Sequence, residues 1–183
     1  MPGGGKSTVG RHMSRQLGMD FVDSDAVIEQ RIGESIRSFF DREGEDRFRD
    51  IEAGVIAELM QLAGEHVVAT GGGAVLREEN RALLRERATV LYLRSTPEEL
   101  FRRLRHDTQR PLLQVRDPMA KLREMHAQRD PLYRRTAHYV LEAGRSAHGL
   151  VNMALMQLEL AGVIDPARVA ATVGAEPPRT LGA

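Results

Sequence analysis

The stretch Gly3-Gly4-Gly5-Lys6-Ser7-Thr8, near the head of a 183-residue chain, constrains the fold more than any other. A glycine-rich loop lets successive backbone N–H groups converge on phosphate oxygens. Lys6 can then reach the β- and γ-phosphates, and the Ser7 hydroxyl can join the ligands of Mg²⁺. The helix expected from about Ser7 to Leu17 would point its positive end at the same phosphates. The full pattern opens with a further glycine five places before Gly5 and is fed by a hydrophobic strand, and neither is in the sequence. The alternative is a flexible glycine-rich terminus, and the rest of the chain decides between the two.

The length suits one domain with a core of its own. Basic and acidic residues balance at 26 each, so the charge gives no reason to expect nucleic acid or an anionic membrane as partner. Among the basic residues only Lys6 and Lys121 are lysines, and the planar arginine fork suits carboxylate and phosphate. Cysteine is absent, which removes disulfides, thiolate chemistry and cysteine-ligated metals. With no signal peptide and no long apolar run, the expectation is a soluble cytoplasmic protein, monomeric by default.

Downstream, the sequence alternates strand and helix. Residues 20–25 read as a strand ending in Asp23 and Asp25, which leave the same face if the extended geometry persists. At the carboxyl end of a parallel strand, beside the phosphate loop, one acid can serve Mg²⁺ and the other a substrate hydroxyl. Alternatively, Ser24-Asp25 caps the next helix. Residues 33–63 read as a helical insertion divided at Gly44. Within it Arg49 and Glu52 are three apart and can pair on one face, holding a guanidinium ready for a substrate carboxylate.

Residues 66–70 read as a buried strand running into Gly71-Gly72-Gly73, where a ligand could lie against bare backbone. Residues 89–93 form the next strand. Ser95-Thr96-Pro97 starts a helix to about Leu104, and the arginine-rich segment 105–116, containing Arg110, is a candidate lid. Another helix follows Asp117-Pro118, with Arg129 near its end and Pro131 breaking the pattern. A strand at 139–141 and a helix over 147–160 complete a single domain, 1–164, with a tail at 165–183 expected to be disordered. The order is that of a three-layer α/β/α domain with a parallel sheet.

Six segments, GGGKST, DSD at 23–25, FRDIE at 48–52, GGGAV at 71–75, RPLL at 110–113 and RDPLY at 129–133, occur in an order and spacing that resembles the shikimate kinases, small P-loop proteins of the nucleoside-monophosphate-kinase-like group. The resemblance runs to about residue 160. Asp50 and the segment Glu142-Ala143-Gly144-Arg145 depart from the usual pattern. The resemblance implies an ATP- and Mg²⁺-dependent transfer to shikimate, giving shikimate 3-phosphate on the route to chorismate and the aromatic amino acids. It implies that Gly3, Gly4, Gly5, Lys6, Ser7, Thr8, Arg103 and Arg110 meet the nucleotide, with Arg103 on the adenine and Arg110 closing over the transferring group. Ser7 and Asp23 would serve the metal. Asp25, Arg49, Gly71, Gly72, Gly73 and Arg129 would form the acceptor site, and Lys6, Asp25 and Arg110 would be catalytic. A gluconate kinase or a non-catalytic nucleotide-binding homologue are the other readings of the same scaffold.

In such folds the strand preceding the phosphate loop is central, between those at 66–70 and 89–93. The present sequence has nothing to fill that place. The expectation is therefore either a start some ten residues upstream, the favoured case, or a rearranged sheet.

Overall fold

Apolar runs too short to stand alone become strands here by pairing in parallel. The structure is a computed structural model and describes residues 1–104, 115–144, 146–165 and 167. Its elements in chain order are α1 (Lys6–Leu17), β1 (Asp20–Asp23), α2 (Ser24–Ile32), α3 (Ile36–Leu59), β2 (His66–Ala69), α4 (Glu78–Arg87), β3 (Leu91–Arg94), α5 (Pro97–Leu104), α6 (Pro118–Thr136), β4 (Tyr139–Glu142) and α7 (Ala147–Leu160). β1 lies parallel to β2, with Asp20 opposite His66 and Asp23 opposite Ala69. β3 lies parallel to β4, with Leu91 opposite Tyr139 and Arg94 opposite Glu142. Among the described residues no pairing joins the two halves.

Successive side chains of a strand leave opposite faces, and β3 shows what that does for the layers. Leu93 packs with Val9, Met13 and Leu17 of α1 and with the buried face of α7. Its neighbour Tyr92 packs on the other side with Leu100 and Leu104 of α5 and Leu122 and Met125 of α6. Helices thus cover both faces, the three-layer α/β/α arrangement the alternation of elements calls for. The insertion has a core of its own, where Ile28 of α2 meets Phe39, Phe48 and Val55 of α3. α3 carries one non-helical residue, Gly44 at φ 82° and ψ 175°, a conformation only glycine adopts without strain, so the helical run bends where the sequence divides it.

Two local expectations are corrected. The strand stops at Asp23, whose side chain accepts a hydrogen bond from the Asp25 amide at 3.1 Å and caps α2, so Asp23 and Asp25 do not share an extended face. Asp23 is the cap, one place earlier than Ser24. Pro131 lies inside α6 and does not end it. Leu122 and Met125 before it and Tyr133 after it are all anchored in one apolar cluster, and that packing carries the helix across the missing N–H.

Candidate active site

The phosphate loop is built by backbone geometry. Gly5 sits at the head of α1 with φ 78°, in the left-handed region, and turns the chain into the helix. No side chain caps this end and the first turn holds no acid, so its amide dipoles face outward as an anion site requires. Lys6 arches back over the loop and its Nζ donates to the Met1 carbonyl at 2.9 Å. Ser7 Oγ donates to Asp23 Oδ2 at 2.6 Å, bringing the end of β1 to the start of α1. Arg103 ties the far side down: its Nη1 donates to the Gly3 carbonyl at 3.3 Å and Ser95 Oγ at 3.2 Å, and Nη2 to the Ala143 carbonyl at 2.7 Å. Thr8 is exposed on the first turn.

The turn after β2 is built by side chains from four elements. None of Gly71, Gly72 and Gly73 has a positive φ, so contact rather than conformation requires them. A Cβ at Gly71 would stand 2.6 Å from Asp25 Oδ1 and 2.9 Å from Glu52 Oε1. One at Gly72 would meet the Met1–Pro2 backbone at 3.4–3.5 Å, and one at Gly73 would lie 2.0 Å from Arg49 Nη1. The bare backbone thus makes room for the protein's own functional groups. Ser24, fully buried, accepts the Gly71 N–H at 3.0 Å. Tyr133 Oη donates to the Gly72 carbonyl at 2.6 Å, and Arg129 Nη1 donates to the same oxygen at 3.1 Å.

Two guanidinium groups, Arg49 and Arg129, are each only 8% exposed at this turn. Arg49 Nη1 donates to Glu52 Oε2 at 2.7 Å, while Nη2 and Nε donate to Glu45 Oε1 at 2.8 and 3.2 Å. The rings of Phe48 and Phe40 lie 5.1 and 5.8 Å from its guanidinium carbon. Burial works against its charge, but the attraction of Glu52 and the bonds to Glu45 outweigh that, so its pKa stays above the ordinary value. Burial pushes the Glu52 carboxyl up, with Arg49 and then Arg129 pulling it back. Arg129 Nε is buried and has no hydrogen-bond partner. A buried donor left over on a charged fork is what an absent carboxylate would satisfy.

Behind Arg129, Asp130 Oδ1 accepts from Tyr92 Oη at 2.8 Å and Oδ2 from Arg134 Nε at 2.7 Å. Burial raises the Asp130 carboxyl, and the bonds from Arg134 and Tyr92 more than reverse it, so its pKa is lowered. Tyr92 stacks on Tyr133 with centroids 4.7 Å apart. α6 is thereby fixed to β3 where it presents Arg129. The sequence reading missed Ser24, Glu45, Tyr133 and Asp130. Glu45 was within reach of a sequence argument, because it stands four residues before Arg49 on one helix, as Tyr133 stands four after Arg129. Arg110 and all of 105–116 except Val115 and Arg116 lie outside the described residues, as does the tail beyond Asp165 apart from Ala167.

The structure therefore unites Lys6, Ser7 and Asp23 at one cluster, and Asp25, Arg49, Gly71, Gly72, Gly73 and Arg129 at another. The Met1–Pro2 backbone lies between them, against Gly72. The family profile described as shikimate kinase matches residues 2–159. The chain belongs to the shikimate kinase family. It is 59% identical over 169 residues to the shikimate kinase of Paracidovorax citrulli, covering 91% of this chain and 92% of that one. To the shikimate kinase of Ralstonia nicotianae it is 56% identical, with coverage of 90% and 86%. Among solved structures, the shikimate kinase of Acinetobacter baumannii in complex with shikimate superposes with a TM-score of 0.83 at 42% identity, over 89% of this chain and 90% of that one. With the family come the P-loop α/β fold and the activity class, ATP-dependent phosphoryl transfer to a small molecule.

Proposed function

We propose that the chain transfers the γ-phosphoryl group of ATP to the 3-hydroxyl of shikimate, and that the two residue clusters divide the work. The observation that carries this is the convergence of two buried arginines on one glycine turn next to a phosphate loop. Phosphoryl transfer is catalysed by alignment and by charge stabilisation rather than by covalent participation. Lys6 and the amides of Gly3, Gly4 and Gly5 hold the phosphates, and Lys6 leaves its bond to the Met1 carbonyl for the transferring group. Arg49, immobilised by Glu45 and Glu52, and Arg129, with its unsatisfied Nε, clamp the acceptor carboxylate. Gly71, Gly72 and Gly73 let the ring approach the turn. Asp25, on the first turn of α2, orients the hydroxyl and takes its proton. Arg103 braces the loop beneath the adenine, and Arg110 is assigned to the transferring phosphoryl.

The Ser7 hydroxyl and the Asp23 carboxylate, 2.6 Å apart, are hard oxygen donors that fit Mg²⁺. Among the described residues no group of three or more His, Cys, Asp or Glu could cage a metal, which suits an ion held by few protein oxygens and by phosphates. When bound, Mg²⁺ would neutralise phosphate charge. Among the described residues no helix is long and apolar enough to cross a membrane, and a small diffusible acceptor agrees with that. A coupled ADP-release assay with shikimate, quinate and gluconate tests the proposal: turnover is expected with shikimate, and turnover confined to gluconate would overturn it.

A further inference from the structure

Every backbone carbonyl from residue 71 to 76 is taken by a donor of the protein itself. Gly71 accepts from the Ala74 amide at 3.2 Å and Gly73 from the Leu76 amide at 2.9 Å, while Gly72 accepts from Tyr133 and Arg129. The carbonyls of Ala74, Val75 and Leu76 go to side chains on the first turn of α4. Asn80, 2% exposed, donates from Nδ2 to the Ala74 carbonyl at 3.1 Å. Arg81 Nη1, an atom with two N–H groups, donates to the Val75 and Leu76 carbonyls at 2.8 and 2.9 Å. Helical side chains lean toward the N-terminus of their own helix, so both residues reach back over the chain that leads into α4. We propose that Asn80 and Arg81 are positioning residues for the acceptor: they hold the glycine turn in the one arrangement that receives it. The proposal rests on the reading of this turn as the acceptor site.

Gly71, Gly72 and Gly73 have no Cβ to restrict them, so a peptide plane among them can flip at little steric cost unless something grips it. A peptide unit is planar and trans, and a carbonyl held on one side therefore turns the next N–H to the other. α6 grips the turn at the Gly72 carbonyl, and α4 grips it at the carbonyls of 74–76. A bare carbonyl oxygen would repel an anionic acceptor, and these bonds leave none bare in the turn. α4 reaches α6 as well: Arg85, one turn after Arg81, donates from Nη1 to the Arg135 and Ala137 carbonyls at 3.1 and 3.2 Å. Leu84 of α4 packs with Ala74 of the turn and Ile56 of α3. One helix thus sets the glycine turn relative to the helices that carry Arg49 and Arg129. The phosphate loop is braced separately, by Arg103, so loss of the α4 bonds should fall on the acceptor and spare the nucleotide.

Steady-state kinetics and hydrogen exchange on the full chain test this together. Arg81→Met loses both bonds, whereas Arg81→Lys keeps one nitrogen with three N–H groups that can meet both carbonyls. Arg81→Met is expected to raise the shikimate KM about tenfold, to leave the ATP KM within about twofold of the parent, and to speed exchange across residues 71–76 about tenfold. Arg81→Lys should restore most of each. A lower Tm with an unchanged shikimate KM would show a merely structural role and overturn the proposal. So would an equal rise in both KM values, or a lysine variant no better than the methionine one. Asn80→Asp keeps the shape of the side chain and, ionised, has no donor; it should move the shikimate KM in the same direction, and if it does not fold the Arg81 pair decides. If the parent turns over gluconate and not shikimate, the proposed function fails, and the same comparison is read on the gluconate KM, so that the two failures stay apart.

Discussion

The loop before α1 and the turn after β2 are both glycine-rich, and both are proposed here to cradle a ligand, yet they are made differently. In the loop, glycine supplies conformation: Gly3 and Gly5 have φ of 69° and 78°, and the functional groups are backbone amides at the end of α1. In the turn, glycine supplies space: no φ is positive, and Asp25, Glu52 and Arg49 occupy the volume that side chains at 71 and 73 would take. One cradle takes its donors from adjacent residues, although Arg103 braces it from 100 residues away. The other is assembled over long range, with bonds that span 47 residues from Ser24 and 61 from Tyr133. Damage to the first should therefore fall on catalysis alone, and damage to the second on both acceptor binding and stability.

The largest expected effect is from Lys6→Ala. Its Nζ makes a partly buried contact to one carbonyl, so the fold should tolerate its loss, whereas transition-state charge loses a cation. We expect kcat to fall about a thousandfold, worth ~4 kcal/mol, with the shikimate KM and the Tm little changed. Normal turnover would remove Lys6 from the chemistry. Arg49→Ala should behave in the opposite way. About 2–5 kcal/mol of acceptor affinity should be lost with ATP binding nearly spared. Because Glu52, 1% exposed, would be left buried without its partner, the variant should also lose about 3–5 kcal/mol of stability. Denaturant midpoints measured beside KM check both, and an unchanged midpoint would show that the turn is less tightly assembled than its contacts imply.

Legibility in the sequence divides along the same line. The loop, the Arg49–Glu52 pair and the four strands among the described residues were legible, with element ends displaced by one or two residues, because each rests on adjacent residues or on spacing within one helix. Not legible were the roles of Ser24 and Tyr133, whose partners are backbone atoms far along the chain. The reason for the three glycines was only half legible. Sequence marks where side chains are missing, but packing decides whether ligand or protein takes the space. Pro131 misled because local propensity forbids what packing on Leu122, Met125 and Tyr133 permits.

A smaller effect separates space from conformation directly. In Gly73→Ala the new methyl would stand 2.0 Å from Arg49 Nη1, at a backbone conformation alanine adopts freely, so the guanidinium must move off Glu52 or the turn must shift. Overpacking of this kind costs about 1–3 kcal/mol. We expect the shikimate KM to rise while the ATP KM holds. A rise in the ATP KM alone would mean that the turn serves the nucleotide side.

The smallest effect is expected from Tyr133→Phe, and its sign depends on pH. Burial pushes the Tyr133 hydroxyl up to about 12, from an ordinary value near ~10. A folded-state pKa above the unfolded one contributes stability that is complete below pH ~10 and is lost as pH rises toward 12, because the unfolded chain gives up its proton first. Near neutrality the substitution removes two hydrogen bonds, the one donated to the Gly72 carbonyl, which Arg129 still contacts at 3.1 Å, and the one accepted from the Met1 amino group at 2.8 Å, so the cost should be about 1 kcal/mol for each. Between pH 10 and 12 the parent should lose up to ~1.4 kcal/mol per pH unit from this group, and phenylalanine has nothing to ionise. The two stability curves should therefore converge, and then cross, as the solution becomes alkaline. Urea midpoints at pH 7, 10 and 11 measure it; parallel curves would mean that the Tyr133 hydroxyl ionises alike in the folded and unfolded chain, and that the back of the acceptor turn is open to water.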